Sequence, residues 1–248
     1  MVDPRTSVIT ERLSGINRII AVSSGKGGVG KSIVATTLAL TLSKRGCKVG
    51  LFDLDFTSPS THIILGAPKV QPKEEKGIVP PTVHGLEYMT LVYFVSDNPT
   101  PLRGADVSNA LIELLSITQW GKLDFLVIDM PPGIGDVILD LIRMVKRLEF
   151  LIVTTSSLMA FETVKKQVVL LCELKLPILG VVENMKIDKA KRIQVETEKL
   201  GLKFLGNVRF DTRVEDAIGD KDMLLKTAVG ERIQQISETN ILDKKAKS

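Results

Sequence analysis

The sequence is poor in cysteine, histidine and aromatic residues, and each shortage excludes a class of protein. Cys47 and Cys172 are the only cysteines among 248 residues, so we expect no disulfide framework and a reducing compartment. His62 and His84 are the only histidines, and neither lies at a spacing typical of zinc ligands. Aromatic residues make up 4% of the chain, which is too little for a base-stacking platform that binds single-stranded nucleic acid.

Long apolar runs and a strong net charge are also missing. No run of about 18 apolar residues predicts a membrane span and no secretory signal opens the chain, so we expect a cytoplasmic protein. The net charge of +4 is compatible with weak attraction to nucleic acid or to an anionic membrane, but it favours neither partner. The length suits one large α/β domain with its own hydrophobic core.

A glycine-rich stretch carries the main chemical signal, and it reads Gly25-Lys26-Gly27-Gly28-Val29-Gly30-Lys31-Ser32. It matches the phosphate-loop pattern, in which glycines let backbone N–H groups approach phosphate oxygens. Lys31 then places a cation on the β- and γ-phosphates, and Ser32 offers a hydroxyl to Mg²⁺. A strand is predicted before the loop at 18–22 and a helix after it at 33–44, so the motif has its required context. The alternative is an ordinary glycine-rich turn.

Carboxylates follow two other predicted strands. The apolar run at 48–52 leads into Asp53 and Asp55, and the run at 123–128 ends in Asp129. Ligands of parallel sheets bind beyond the carboxyl ends of the strands, so we expect all three acids near the phosphates. Asp129 is then the Walker B acid beside the metal. Of Asp53 and Asp55, one can hold a metal-bound water and the other can orient the attacking water; the alternative is two solvated loop acids.

The remaining chain predicts a doubly layered α/β fold. Strands alternate with helices, which indicates a mostly parallel twisted sheet with helices on both faces. A strand at 178–184 ends in Asn184, whose amide can pair with an adenine edge or can cap a turn. We expect an exposed loop at 69–81 and a turn at 101–105 that exposes Arg103.

These stretches resemble the P-loop ATPases of the ParA/MinD type, which have a deviant Walker A loop marked by an early lysine, here Lys26. The subgroup that the chain resembles is the Mrp/ApbC ATPases, which are linked to iron–sulfur cluster assembly. The resemblance covers about 18–235. Its supporting stretches are 53–55 with 58–60, 102–104, 120–124, 129–136 and 181–185. The polar, mixed stretch 1–17 predicts an N-terminal arm, either mobile or a short helix that leads into the first strand. It is followed by the P-loop ATPase domain (18–242) and a basic C-terminal tail (243–248).

The resemblance also implies roles that the pattern alone does not assign. It implies a homodimer that encloses two ATP molecules with Mg²⁺, in which Lys26 reaches the nucleotide of the partner subunit. Asp55 is similar to the residue that positions the attacking water, and Asp53 and Asp129 are similar to supports of Mg²⁺. Asn184 is similar to an adenine contact, with Asp211 beside it. An iron–sulfur client protein is the partner that such a family implies.

One departure from the family pattern concerns the cluster itself. Cluster-carrying members have a C-x-x-C pair shortly after the Glu-Asn-Met segment, whereas 185–190 contains no cysteine here, and Cys47 and Cys172 cannot replace the pair at that spacing. This argues against cluster carriage by the chain's own thiolates. The sequence therefore predicts a dimerising Mg²⁺-ATPase of the Mrp-like kind, linked to iron–sulfur cluster assembly or carriage. The alternative is a positioning ATPase, similar to ParA or MinD, whose ATP-bound dimer binds DNA or membrane.

Overall fold

An eight-stranded sheet lies between two layers of helices in the computed structural model, which describes residues 4–68, 70–94 and 105–242. The strands are β1 (Ile16–Ser24), β2 (Val49–Asp53), β3 (Lys73–Glu74), β4 (Ile78–Val79), β5 (Thr82–Val83), β6 (Leu86–Thr90), β7 (Leu123–Asp129), β8 (Leu148–Thr155), β9 (Ile178–Lys186) and β10 (Phe204–Arg209). Their order in the main sheet is β10-β9-β8-β1-β7-β2-β6-β5, and the β5–β6 pair is antiparallel. The predicted mostly parallel α/β fold is confirmed.

The helices cover both faces of this sheet. They are α1 (Arg5–Leu13), α2 (Lys31–Lys44), α3 (Thr61–Leu65), α4 (Ala105–Ile117), α5 (Asp136–Met144), α6 (Leu158–Glu173), α7 (Arg192–Lys199), α8 (Arg213–Asp216), α9 (Lys221–Leu224) and α10 (Ala228–Ile236). One apolar core joins the sheet to α2, α3 and α10, and the other joins it to α1, α4, α5, α6 and α7. The central strands read as continuous apolar runs because both of their faces are buried.

The order of the central strands positions the site. Strand β7 lies between β1 and β2, with Asp129 in register with Val22 on one side and with Asp53 on the other. The chain segments that follow these three strands therefore begin side by side at one edge of the sheet. Val22 and Asp53 are about 30 residues apart in the sequence, and Asp53 and Asp129 are about 75 apart. They meet at this edge because parallel strands align their carboxyl ends.

Several elements differ from the sequence-based expectations. In the N-terminal arm the short-helix alternative is the one observed, since α1 forms and buries Ile9 and Leu13 in the core, but β1 begins at Ile16 rather than at residue 18. The predicted exposed loop at 69–81 contains the short antiparallel hairpin of β3 and β4. The sequence predicts a C-terminal helix near 229–241, and the structure divides that stretch between α10 and a π-helical segment, Ser237–Leu242. The predicted turn with Arg103 and the C-terminal tail lie outside the described residues.

Two further expectations concern cysteines and membranes. Cys47 and Cys172 do not form a disulfide, which agrees with the low cysteine content. Among the helices of the described residues, none combines the length and the apolar character that crossing a bilayer requires.

Candidate functional site

The phosphate loop leaves β1 at Ser24 and enters α2 at Lys31. Gly28 and Gly30 have φ angles of 77° and 78°, a left-handed conformation that favours glycine. A Cβ atom on Gly25 would collide with the backbone of Thr163 in α6, whereas one on Gly28 would meet nothing within 4 Å. The loop is thus packed against α6 at its start and open above Gly28, where an anion can reach its backbone.

Lys31 is buried at the first position of α2, with 6% of its side chain exposed. Its Nζ lies 2.5 Å from Oδ1 of Asp129 and 3.6 Å from Oδ2 of Asp55. It also donates a hydrogen bond of 3.3 Å to the hydroxyl of Ser32. Four of the predicted site residues, from three separate segments of the chain, are therefore brought together around one ammonium group.

Asp129 is fully buried at the end of β7, and its two carboxylate oxygens differ. Oδ1 accepts the hydrogen bond from Lys31, whereas Oδ2 is buried and has no hydrogen-bond partner within the described ranges. Burial raises the pKa of Asp129 to about 6, although the Lys31 ammonium opposes this rise. A buried carboxylate oxygen without a partner, on an acid whose pKa the neighbouring Ser32 hydroxyl lowers, fits a Mg²⁺ ion that protein oxygens and substrate phosphates hold together.

No cluster of three or more histidine, cysteine, aspartate or glutamate side chains forms a ready-made metal site in the parts of the chain that the structure describes. Mg²⁺ does not require one, because it usually binds through one or two carboxylates together with water and phosphate. The donor set of Ser32 and Asp129 is therefore consistent with Mg²⁺ and not with zinc.

Asp53 lies beside Asp129 in the sheet, but its oxygens are occupied. Oδ1 accepts a hydrogen bond of 3.0 Å from the Asp55 N–H, and Oδ2 accepts bonds from the N–H (3.2 Å) and the hydroxyl (2.6 Å) of Thr61. Burial raises the pKa of Asp53, and the hydrogen bond from the Thr61 side chain opposes the rise. Asp53 therefore organises the turn that carries Asp55, and the metal-supporting role that the resemblance implies stays a prediction.

Asp55 is 7% exposed and is held from two sides. Its Oδ1 accepts a hydrogen bond of 3.2 Å from the Ser58 N–H, and its Oδ2 faces the Lys31 ammonium. Burial of both Asp53 and Asp55 excludes the alternative of two solvated loop acids.

Sequence patterns do not single out Thr61 and Tyr88, which hold Asp53 in place. The Thr61 and Tyr88 oxygens lie 2.8 Å apart. Because Thr61 gives its only hydroxyl proton to Asp53, Tyr88 donates to Thr61. The three residues come from β2, α3 and β6, and no short-range signal connects them.

Two adjoining cavities lie along this edge of the sheet. The larger, of about 600 Å³, is lined by the phosphate loop together with Asp55, Ser58 and Pro132. The smaller, of about 270 Å³, is lined by Asn184, Asp211 and Phe210 among others. Ile33 and Glu215 line both cavities. A molecule with a phosphate chain at one end and a planar base at the other fits this arrangement.

Asn184 and Asp211 both line the smaller cavity, and both are already bonded. The Asn184 amide donates a hydrogen bond of 3.0 Å to the carbonyl of Val29 in the phosphate loop. The Asp211 carboxylate binds Arg213 and accepts a hydrogen bond of 2.8 Å from the Ala228 N–H. The Arg213 guanidinium, together with that N–H, holds the pKa of Asp211 well below its usual range. Their contact with a base stays a prediction.

Lys26 and the loop after β7 border the larger cavity on its open side. The Lys26 side chain is exposed and forms no ion pair with the described part of the chain. The N–H of Gly133 donates a hydrogen bond of 2.8 Å to the carbonyl of Ser24, and Gly133 has a φ of 82°. The start of the phosphate loop and the loop that follows Asp129 are therefore in direct contact.

Comparisons with known proteins identify the family of the chain. The sequence model of the family described as "ParA: NUBPL iron-transfer P-loop NTPase" matches residues 15–242. Proteins named iron–sulfur cluster carrier protein are similar to the chain: that of Pseudomonas fragi is 44% identical over 179 residues, and that of Aquifex aeolicus is 39% identical over 222 residues. These alignments cover 71% and 83% of this chain, and the chain spans only 62% and 61% of those two relatives.

Solved structures share the fold and, in one case, a moderate sequence similarity. The nucleotide-binding protein from Archaeoglobus fulgidus, solved in complex with ADP, superposes with a TM-score of 0.76 at 28% identity and covers 88% of this chain and 92% of its own. MinD from Pyrococcus horikoshii, solved with Mg-ADP, has a TM-score of 0.67 at 22% identity, covers 93% and 99%, and shows the shared fold alone. The family match over residues 15–242 and the cluster-carrier relatives show that the chain belongs to the ParA/NUBPL family of iron-transfer P-loop NTPases.

Proposed function

We propose that this chain is a Mg²⁺-dependent ATPase that acts as a homodimer in iron–sulfur cluster assembly or delivery. The observation that carries the proposal is the buried Lys31, which has two carboxylates as partners at the floor of the phosphate-loop cavity. A buried ammonium beside an open cavity is ready to exchange carboxylate oxygens for phosphate oxygens. The ADP bound to the Archaeoglobus fulgidus protein supports a nucleotide as the ligand.

Backbone N–H groups would make the main contacts with the triphosphate of ATP. The N–H groups of the phosphate loop and the N-terminus of α2 favour the triphosphate, and Lys31 turns from Asp129 towards the β- and γ-phosphates. Asp129 and the Ser32 hydroxyl would hold Mg²⁺, whose contribution is to neutralise phosphate charge and to fix the orientation of the γ-phosphate. The unpartnered Oδ2 of Asp129 supports this assignment.

Hydrolysis then needs a group that orients water in line with the γ-phosphate. Asp55 fits this role, because hydrogen bonds to Asp53 and from Ser58 fix its position and its Oδ2 loses a neighbour when Lys31 turns away. The water oxygen bonds to the γ-phosphorus, the bond between that phosphorus and the bridging oxygen of ADP breaks, and the water proton passes towards Asp55 or the departing phosphate.

Lys26 would act on the nucleotide of the other subunit. It lies on the open side of the cavity, and no acidic group in the described chain holds it. A cation supplied from a partner in this way contributes about 10³–10⁵ to the rate of phosphoryl transfer in other enzymes. The proposed homodimer thus makes each active site depend on both chains.

The proposed role in iron–sulfur cluster delivery is supported by the names of the relatives, and it requires a second protein that ligates the cluster. Segment 185–190 has no thiol that could ligate iron. In the proposal, this chain supplies the ATP-driven step and a partner supplies the cluster ligands. Anaerobic reconstitution with iron and sulfide is expected to leave the purified chain without a stoichiometric cluster, and a stable cluster on the chain alone would contradict this division of labour.

The decisive experiment separates binding from turnover at Asp55. In Asp55→Asn we expect Mg-ATP affinity, measured by calorimetry, to stay within a few-fold of wild type, while hydrolysis falls by at least about 100-fold because the orienting carboxylate is lost. Asp222→Asn, which removes an exposed carboxylate outside the cavity, is the matched control and should change neither. Wild-type turnover in Asp55→Asn would remove this residue from the mechanism.

A second experiment addresses the dimer. In Lys26→Ala we expect the dimer formed with a non-hydrolysable ATP analogue, measured by light scattering, to be lost or strongly weakened. Lys122→Ala removes another exposed lysine, away from the cavity, and should dimerise as wild type does. If Lys26→Ala dimerises and hydrolyses ATP normally, Lys26 has no role across the interface.

A further inference from the structure

A third cavity lies at the sheet edge formed by β9 and β10. It adjoins the smaller cavity lined by Asn184 and Asp211, which we call the base cavity. The third cavity has a volume of about 530 Å³, and its walls are the loop from Ile187 to Lys191 and the end of β10. The two walls are joined by a hydrogen bond of 3.0 Å from the Phe210 N–H to the Lys186 carbonyl. We call this cavity the edge groove.

The floor of the edge groove is a buried ion pair of Lys186 and Glu183, whose charges neutralise each other. Lys186 is 9% exposed and binds both carboxylate oxygens of Glu183, at 2.8 and 2.9 Å. Ser156 donates a further hydrogen bond of 2.8 Å to Glu183, and Lys186 donates one of 2.5 Å to the carbonyl of Ala190. The floor is therefore rigid, and it leaves no charge for a ligand.

The rim of the edge groove, in contrast, has an excess of positive charge. Lys189, Lys191 and Arg209 line the groove, are exposed, and form no ion pair within the described residues. The only acidic side chain on the rim is Asp188, which is paired with Arg192 at 2.6 Å and lies 3.6 Å from Lys186. Three cations thus face solvent over a neutral floor.

Apolar groups are exposed on the same rim. Ile187 is 86% exposed and Phe210 is 56% exposed, and Phe204 also lines the groove. Exposed apolar side chains that lie next to unpaired cations are typical of a surface that binds a partner with apolar and acidic groups.

We propose that the edge groove binds an acidic segment of a partner protein, with Lys189, Lys191 and Arg209 contacting its carboxylates and Ile187 and Phe210 contacting its apolar side chains. A free phosphate fits less well, because no glycine lines the groove and a glycine-rich phosphate-binding loop is therefore absent from its described walls. Single-stranded nucleic acid fits less well, because only two aromatic rings line the groove.

The position of the edge groove links it to the nucleotide site. Arg209 and Phe210 line both the edge groove and the base cavity, and at the end of β9 Glu183 and Lys186 line the groove while Asn184 and Met185 between them line the base cavity. The binding of an acidic segment does not itself require ATP, so this proposal goes beyond the proposed ATPase function and can fail independently of it.

The test compares two double charge reversals in the full-length chain. A random 12-residue phage-displayed peptide library is selected on the wild-type protein at low salt, and the enriched peptides are synthesised and titrated by fluorescence anisotropy. We expect enriched peptides with a net negative charge and at least one large apolar residue. Lys189→Glu with Lys191→Glu should weaken their binding by about tenfold or more, since two exposed charge pairs become repulsive.

Lys122→Glu with Lys166→Glu makes the same change in net charge on exposed lysines outside the groove, and it should leave peptide affinity within about twofold. The proposal is overturned if the enriched peptides carry no acidic excess, if both double variants lose binding equally, or if a 20-nucleotide single strand binds more tightly than the peptides and depends on the same lysines. Both double variants should hydrolyse ATP as wild type does, so loss of peptide binding with normal hydrolysis separates this site from the ATPase.

Discussion

Two buried lysine–carboxylate pairs lie at the same edge of the sheet, and they differ in how completely they are satisfied. Lys186 and Glu183 sit at the floor of the edge groove, where each carboxylate oxygen accepts at least one hydrogen bond and the ammonium has several acceptors. Lys31 and Asp129 sit under the phosphate loop, where one oxygen of Asp129 has no partner in the described chain. The two pairs are similarly buried, so burial alone does not distinguish them.

This difference in hydrogen bonding indicates which of the two pairs is expected to bind a ligand. A buried polar atom without a partner costs free energy, and natural structures keep such atoms rarely unless a ligand, ion or water completes them. We therefore expect the pair of Lys31 and Asp129 to exchange partners when a ligand binds, and the pair of Lys186 and Glu183 to act as part of the scaffold. Breaking each pair should accordingly affect different properties of the protein.

The largest expected effect comes from the exchangeable pair. In Lys31→Ala, hydrolysis should fall by at least about 100–1000-fold, because a donor aimed at the transferred phosphate is lost. Turnover is measured by phosphate release with Mg-ATP, and circular dichroism checks that the variant is folded. Activity within about threefold of wild type would show that Lys31 serves only to neutralise Asp129.

Breaking the scaffold pair of Lys186 and Glu183 should lower the free energy of unfolding. Lys186→Ala leaves Glu183 buried with Ser156 as its remaining side-chain partner, so unfolding in urea should show a loss of about 3–5 kcal/mol. Lys199→Ala is the matched control, because Lys199 pairs with Glu196 on the surface with 66% of its side chain exposed, and should cost at most about 1 kcal/mol. Equal costs for the two variants would contradict the distinction between a saturated buried pair and a solvated one.

Much of the exchangeable site can be predicted from the sequence, for a physical reason. The phosphate loop is a local pattern, and Gly28 and Gly30 adopt the left-handed conformation that glycine takes most readily. Asp129 and Asp55 were placed near it because parallel strands end at one edge of the sheet, and that rule needs no knowledge of side-chain packing.

The partners of those acids could not be predicted in the same way. Tyr88 reaches Thr61, and Thr61 reaches Asp53, only because β6 and α3 pack on β2. Likewise, the saturation of Glu183 depends on Ser156 in a neighbouring loop. Such contacts are set by tertiary packing and leave no spacing signal. The hairpin within 69–81 was missed for a related reason, since each of its strands has only two residues.

A smaller effect is expected at Asp53, which is buried at the site and whose two carboxylate oxygens already accept hydrogen bonds. Thr61→Val removes the hydroxyl that donates to Asp53, so it should cost about 1.5–3 kcal/mol of unfolding free energy and lower turnover by displacing Asp55. Tyr88→Phe keeps that bond and removes only the donor to Thr61, so about 1 kcal/mol is expected. If Tyr88→Phe reduces turnover as much as Thr61→Val does, the bond from Thr61 to Asp53 is not what positions Asp55.

The smallest effect is expected at Asp211, whose carboxylate pairs with Arg213 at the mouth of the base cavity. Because its folded pKa is depressed below the unfolded value of about 3.9, the ion pair and the Ala228 N–H contribute stability that is fully present above about pH 4 and is lost as the pH falls through the folded pKa. Without nucleotide, Asp211→Asn should therefore lower the Tm at pH 7, and the gap from wild type should close below pH 4. Glu173→Gln, an exposed carboxyl with no ion pair in the described chain, makes the same charge change and should show no such closing gap. A constant Tm difference from pH 7 to pH 3 would mean that Asp211 stabilises α10 through shape rather than through charge.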